Sequence, residues 1–172
     1  GAIFVADLVR DVRVENEKHT EKLERMNAET CSERMHGELN NGVFLTTALE
    51  QFIISENGNV NYFEKIAENL MTGSQSEYSG NSFIRCLQLA PGGVVSRIYT
   101  QEHNEAGMID LINDKDRGFI CRYARDNDKL IIQGPYNLAQ GGKGVAIRKP
   151  VYLTTGDEAP SAENFWGFAI AI

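Results

Sequence analysis

The sequence has few of the residues on which nucleophilic and metal chemistry depend. Two histidines, His19 and His36, lie in the N-terminal helical segment and His103 lies in a polar loop, and no ligand pair has metal-binding spacing on one element. No Gly-x-Ser-x-Gly segment occurs, and nothing pairs a nucleophile with a histidine and an orienting acid. We therefore expect no catalytic activity, no metal and no cofactor in this fragment.

Basic residues and long apolar runs are also scarce. Seventeen Lys and Arg residues stand against 24 Asp and Glu residues, so the net charge is −7. This balance argues against a nucleic-acid surface, which needs clustered cations. No run of about 18 apolar residues occurs, so we expect no membrane span within the chain. The short apolar segments at residues 2–6 and 165–172 predict that membrane spans flank the fragment on both sides.

Cysteine is too sparse for a disulfide framework. Cys31, Cys86 and Cys121 give an odd count and no CxxC spacing. One bridge between Cys86 and Cys121 is an open alternative. We prefer buried free thiols, because Cys86 lies inside a strand pattern and Cys121 on an apolar helix face.

The N-terminal third of the chain has the character of a long helix. It contains no proline, and charged residues fill half of the positions from Asp7 to Arg34. Two weak seven-residue repeats run through it: Val12, His19 and Met26, and Asn16, Leu23 and Thr30. They predict a helical stalk over residues 1–56 that mediates a homodimer, although a solvated single helix is the alternative. From Val43 to Ile53 the apolar face is stronger, so this part should pack on a core.

Residues 57–172 predict an α+β core. A short amphipathic helix follows Tyr62, residues 72–82 form a surface loop, and a later helix runs from its cap at Asp114 to Asp126. The strand patterns are Phe83–Leu89, Val94–Tyr99, Leu130–Gln133, Gly144–Leu153 and Phe165–Ile172. Sequential short strands with one intervening helix predict a five-stranded antiparallel sheet with packed helices.

The candidate site residues are polar groups set among apolar ones. Arg97 and Tyr99 project from one strand face, and Arg148 sits inside another strand; a solvent-facing strand residue is the alternative for each. Asp110 lies between Ile109 and Leu111, where a carboxylate is either a cap or a ligand acceptor. The glycine-rich loop at 141–144 lacks the Ser or Thr of a phosphate loop and predicts a hairpin turn.

Glycine and proline punctuation carries a family resemblance. Its segments, in order, are Ala90-Pro91-Gly92, Gly107-Met108-Ile109-Asp110-Leu111, Gly134-Pro135, Gln140-Gly141-Gly142, Pro150-Val151-Tyr152 and Phe165-Trp166-Gly167. From Phe83 to Gly167 this order resembles CHASE domains, the extracytoplasmic sensor modules of membrane-bound receptors. The chain departs at Thr100, where bacterial members often carry proline.

The resemblance implies a PAS-like sheet that binds a small ligand, with a long helix leading from a membrane span. It also implies an output domain outside this fragment, commonly a histidine kinase or a diguanylate cyclase. Asp110 occupies the place of an aspartate that contacts the ligand in plant cytokinin receptors. We therefore predict these ligand-binding residues: Asp110, Arg97, Tyr99, Arg148, Gly134 and Tyr152.

The sequence thus predicts an extracytoplasmic small-ligand sensing domain of a transmembrane signalling receptor. Two other classes remain open: a structural dimerisation module without a ligand, and a small hydrolase with a nonstandard site. A ligand screen distinguishes the dimerisation module from the sensing domain. The hydrolase requires a nucleophile and a base within hydrogen-bond distance of each other.

Overall fold

The computed structural model describes residues 22–76, 84–100, 109–137 and 143–172. Three helices lie in these ranges: α1 (Lys22–Ser55), α2 (Phe63–Ser76) and α3 (Gly118–Asn127). The described strands are β1 (Leu87–Pro91), β2 (Arg97–Tyr99), β3 (Ile131–Asn137), β4 (Lys143–Tyr152) and β5 (Phe165–Ala171).

The strands form one sheet with the order β2-β1-β5-β4-β3. All four neighbouring pairs are antiparallel. This confirms the predicted α+β class and the predicted five-stranded antiparallel sheet. The β1–β2 hairpin turns at Gly92 and Gly93, whose φ angles of 66° and 91° favour glycine. Of the turn predicted at 141–144, residues 141 and 142 lie outside the described ranges, whereas Lys143 and Gly144 belong to β4, which pairs antiparallel with β3.

Helices α1 and α2 cover one side of the sheet, which we call the α1 face. Helix α1 runs without a break through Gly37 and Gly42, where an interruption was open from the sequence. Its residues from Leu39 to Ile53 contribute to the core, as their apolar spacing predicts. Buried members of this cluster on the sheet are Leu87, Leu89, Ile132, Ile147, Val151, Ala169 and Ala171. The division into a stalk (1–56) and a core (57–172) stays a prediction.

Helix α3 covers part of the opposite side, which we call the α3 face. Its Cys121 and Ala124 side chains are fully buried there. They join a second apolar cluster whose buried sheet members are Ala90, Ile131, Phe168 and Ile170. The sheet is therefore the middle layer of the fold, with apolar packing on both of its faces.

Two helix boundaries differ from the predictions. Helix α3 begins at Gly118 rather than Asp114, because the Asp114 carboxylate accepts the N–H groups of Asp116 and Arg117 and closes a separate turn. Helix α2 continues to Ser76, so the predicted loop is wrong for residues 72–76. The extension follows from Met71, which lies one turn beyond Ala67 and is buried in the same cluster. Residues 77–83 lie outside the described ranges.

Candidate functional site

One row of residues runs across all five strands. The register places Ile131 opposite Arg148, Arg148 opposite Ile170, Ile170 opposite Gln88, and Gln88 opposite Ile98. Directly opposed residues in an antiparallel sheet point to the same face. Because Ile131, Ile170 and Ile98 pack in the α3-side cluster, the whole row faces α3. We call it the Arg148 row.

Arg148 is the most unusual member of this row. It is a full cation with only 4% of its surface exposed. Its Nη1 donates a hydrogen bond to Gln133 Oε1, which is a neutral acceptor. Its Nε is buried and meets no hydrogen-bond partner within the described part of the chain. A buried charge is costly unless it is paired and hydrogen-bonded, so Arg148 is held in an incomplete environment.

The ion pairs found among the described residues involve cations other than Arg148. The described ion pairs join Arg97, Arg117, Arg125 and Lys149 to acidic side chains. None of those pairs in the four described ranges involves Arg148. The Arg148 side chain is buried, so the solvent-facing alternative is wrong for this residue. Its role as a ligand-binding residue stays a prediction.

Gln88 is a second buried polar group in the same row. It is 6% exposed, and its Nε2 lies 3.6 Å from Cys86 Sγ. Sulfur is a weak acceptor, so this contact only partly satisfies the amide. Arg148 and Gln88 flank Ile170, two strands apart, which places their Cα atoms roughly 10 Å from each other.

Cys86 and Cys121 are buried free thiols, as preferred from the sequence. Burial raises the pKa of Cys86 to about 11, although the Gln88 amide opposes the shift. Burial also raises the pKa of Cys121, with the positive charge of Arg148 acting in the opposite direction. Both thiols are protonated at neutral pH, which makes them poor nucleophiles.

Tyr152 ties α3 to the sheet. Its hydroxyl donates to the carbonyl oxygen of Arg125 and approaches that of Ala124 at 3.3 Å. Its ring meets Phe165 edge-on, with 5.8 Å between the ring centroids. Burial raises the pKa of Tyr152 to about 12, so the hydroxyl remains a donor. The structure thus gives Tyr152 a positioning role beside the α3 face.

Arg97 and Tyr99 lie on the other side of the sheet. The Arg97 Nη1 atom is 3.4 Å from Glu64 Oε1 of α2. Tyr99 packs against the cluster formed by α1 and α2. The structure therefore places this pair together on the α1 face, and Arg148 on the opposite face.

Asp110 has a structural partner within its own turn. Its Oδ1 accepts the backbone N–H of Asn113 at 3.2 Å, and its Oδ2 accepts the Asn113 Nδ2 group at 2.7 Å. These hydrogen bonds lower the pKa of Asp110. Its backbone forms an isolated bridge with Val94, next to the β1–β2 hairpin. Asp110 thus closes a turn at residues 111–113 and does not cap the N-terminus of a helix, which was the alternative considered from the sequence, and a ligand contact stays a prediction.

Gly134 marks an irregularity in β3. The register shifts between Gln133 and Tyr136, and Gly134 has a φ of 137°, which a residue with a Cβ adopts only with strain. A Cβ at this position would lie 3.0 Å from the carbonyl oxygen of Gly144. The structure therefore explains this glycine by strand geometry, and its predicted ligand contact stays a prediction.

Gln88 and Gln133 were missed by the sequence reasoning. Each lies in a strand among apolar residues, where alternation alone predicts a solvent-facing side chain. The burial of Gln88 becomes evident only once the α3-side cluster is known to cover that face. The available signal was the position of Gln88 between Leu87 and Leu89, which the register now connects to Arg148 through Ile170.

Two further features of the described residues concern metal binding and membrane crossing. In that part of the chain no group of three or more His, Cys, Asp or Glu side chains is arranged to hold a metal ion. None of the helices described is long and apolar enough to cross a membrane.

The fold defines an α+β domain in which one antiparallel sheet lies between helices. A solved structure with a similar fold is an extracellular ligand binding receptor from Desulfohalobium retbaense, with a TM-score of 0.57 and 10% sequence identity. The match covers 81% of this chain and 23% of the receptor chain. At that identity the likeness shows a shared fold. No protein-family model matches the sequence, and no curated protein matches it.

Proposed function

We propose that this chain is a sensing domain that binds a small ligand on the α3 face of its sheet. The observation that carries the proposal is Arg148, a buried cation whose Nε lacks a partner among the described residues. A small-molecule site combines apolar walls with a few polar groups. The apolar walls here are Phe168 and Ile170, and the polar groups are Arg148, Gln133 and Gln88.

We further propose that the domain lies outside the cytoplasm as part of a membrane receptor. The shared fold with an extracellular ligand binding receptor supports this location. Membrane spans would then flank the fragment. The strand order and the ordered punctuation support a PAS-like domain of the CHASE type. A histidine kinase or a diguanylate cyclase is the proposed output.

Strand β4 offers a route from the ligand to helix α1. Arg148 faces α3, whereas the next residue, Lys149, faces α1 and lies with its Nζ 3.8 Å from Glu50 Oε1. A ligand that moves β4 would therefore also move the Lys149 ammonium group, which forms an ion pair with Glu50 of α1. Small displacements of packed helices are a common switching mode, and they require that the ligand prefer one of the two states.

Helix α1 is also the proposed dimer contact of the intact receptor. Phe44 on this helix is 64% exposed, although neighbouring Leu45 is fully buried in the domain. Membrane tethering raises the effective concentration of such a helix, so a weak interaction suffices. Sedimentation of the wild type and of Phe44→Ala tests this contact. Equal monomer fractions in both proteins over a wide concentration range would remove Phe44 from the interface.

A broad metabolite screen tests the sensing function. The screen should use thermal shift for detection and calorimetry for confirmation, because a ligand that binds only the native state raises its stability. We expect at least one small molecule to raise the melting temperature in proportion to the logarithm of its concentration. A domain that binds no compound of any charge class would instead be a structural dimerisation module.

The fragment is proposed to have no catalytic activity of its own. The raised pKa values of Cys86 and Cys121 support this proposal, since a thiol that stays protonated is a weak nucleophile. Incubation with a panel of ester, amide and phosphoester substrates tests it. Turnover that disappears on substitution of one residue would restore the hydrolase alternative.

A further inference from the structure

We propose that the ligand is a small organic carboxylate and that Arg148 binds its carboxylate group. This inference rests on the proposed sensing function and specifies the chemical class of the ligand. Its site is the part of the α3 face between Arg148 and Gln88, and the polar groups are the guanidinium, the Gln88 amide and the Gln133 amide.

The Arg148 donor atom that has no hydrogen-bond partner in the described ranges indicates the chemical class of the ligand. Nη1 is already engaged by Gln133, whereas Nε is buried without a partner among the described residues. A guanidinium presents parallel N–H groups that match the two oxygens of a carboxylate. A carboxylate would therefore complete the hydrogen bonding of Arg148 and neutralise its charge in a single contact. A neutral ligand could do only the first.

Two other arginines near α3 already have partners. Arg117 lies 3.4 Å from Asp114 Oδ2, and Arg122 donates to the carbonyl oxygen of Ile112 at 2.7 Å. Arg148 is the cation that remains for a ligand.

The second polar group indicates the size and character of the ligand. Gln88 lies two strands from Arg148, roughly 10 Å away between Cα atoms. The side chain between them is Ile170, which is 1% exposed and apolar. Because Ile170 is already buried by its neighbours, we infer that the ligand is a compact acid, with a hydroxyl or carbonyl group at its far end directed towards the Gln88 amide.

The test measures binding of small carboxylates to the wild-type protein by thermal shift and calorimetry. The probes are acetate, propanoate, butanoate, lactate, pyruvate, succinate, benzoate and the common amino acids. The primary amides of the monocarboxylates serve as neutral controls of nearly the same shape, and inorganic phosphate serves as a second anion. We expect at least one carboxylate to bind at least tenfold more tightly than its amide and than phosphate, because charged hydrogen bonds are the stronger ones.

Variants then assign the binding to Arg148. Arg148→Met should weaken the selected carboxylate at least tenfold, while Arg85→Met, which removes the same charge from an exposed position, should leave its affinity within twofold. Gln88→Glu adds a negative charge to the same row and should weaken carboxylate binding as well. It provides the readout if Arg148→Met does not fold, as judged by circular dichroism.

Equal binding of acid and amide, preference for phosphate, or equal affinity of wild type and folded Arg148→Met would overturn the carboxylate assignment. Failure of every carboxylate would overturn it too. In that case binding of a neutral or cationic compound in the broad metabolite screen would leave the sensing function standing. If that screen also finds no ligand, the sensing function falls with it.

Discussion

Two adjacent rows of the same sheet have opposite characters. The row of Ile132, Ile147, Ala171, Leu87 and Tyr99 faces α1 and α2, and its first four members are buried apolar residues. The Arg148 row, one residue away on every strand, faces α3 and contains a buried cation and a buried amide. Both rows lie in the same strands with the same register. Both faces carry packed helices, but among the described residues only the α3 face has a cation and an amide buried among its apolar residues.

The largest effect is expected on the α1 face. Leu49 of α1 is fully buried, so Leu49→Ala should lower the free energy of unfolding by about 2–5 kcal/mol through lost apolar contacts and a cavity. Phe44→Ala is the matched control on the same helix, and because Phe44 is exposed it should change the value by less than about 0.5 kcal/mol. Urea denaturation measures both. A cost below 1 kcal/mol for Leu49→Ala would mean that α1 does not belong to the core.

The opposite sign is expected on the α3 face. Arg148→Met removes a buried charge without a carboxylate partner in the described ranges and leaves an apolar side chain. We expect the free energy of unfolding without ligand to stay unchanged or to rise, by up to about 1–4 kcal/mol, as for other buried ionic groups replaced by apolar ones. The same urea experiment measures it. A loss of 2 kcal/mol or more would show that Arg148 serves the fold.

The ion pair between Lys149 and Glu50 connects β4 to α1. Replacing Lys149 and replacing Glu50 should change the free energy of unfolding by different amounts. Lys149→Met leaves the half-buried Glu50 without its cation, so it should lower the free energy of unfolding by about 1–3 kcal/mol at pH 7. Glu50→Gln removes the buried charge itself and should cost less. Equal losses in the two variants would indicate a surface pair with no role in attaching α1.

The pH dependence of Glu50 gives an independent check on that connection. Burial raises the pKa of Glu50 although Lys149 opposes the shift. Its favourable contribution is therefore complete below its unfolded-state pKa and is lost as the pH rises through its folded-state pKa. Glu50→Gln should remove this loss above pH 4.5, the ordinary value for the group. If the free energy of unfolding of Glu50→Gln depends on pH in the same way as that of the wild type, a raised pKa for Glu50 is excluded.

The smallest effect is expected at Asp110, whose pKa is lowered by its hydrogen bonds to Asn113. Its contribution to stability is present above the unfolded-state pKa and is lost as the pH falls through the folded-state value. Asp110→Asn should therefore reduce stability at pH 7, and the reduction should shrink as the pH falls through the folded-state pKa. Calorimetry on the same variant decides the predicted ligand contact: weaker binding by the variant supports the contact, and equal affinity leaves Asp110 as a residue that closes its turn.

The fold followed from the sequence because its signals are local. Alternation in residues 94–99, the Ala90-Pro91-Gly92-Gly93 turn and the helical spacing from Val43 to Ile53 each specify their own element. The predicted start of α3 at Asp114 was wrong, because the side-chain contact that caps a helix can also close a separate turn.

The candidate site could be predicted from the sequence only in part, because it depends on contacts between segments that are distant along the chain. Arg97 and Tyr99 alternate correctly along their strand, yet alternation does not say which of two covered faces they occupy. The pairing of Arg148 with Ile170, and of Ile170 with Gln88, is a property of the register. Single-sequence periodicity contains no register, so Gln88 could not be connected to Arg148.

A crystal structure of the protein with the tightest-binding carboxylate from the screen tests the central claim most directly. We expect electron density on the α3 face, with one carboxylate oxygen about 2.7–2.9 Å from Arg148 Nε, the usual length for such a charged hydrogen bond. Density for the acid at another surface, with Arg148 Nε bonded to the protein itself, would contradict the account.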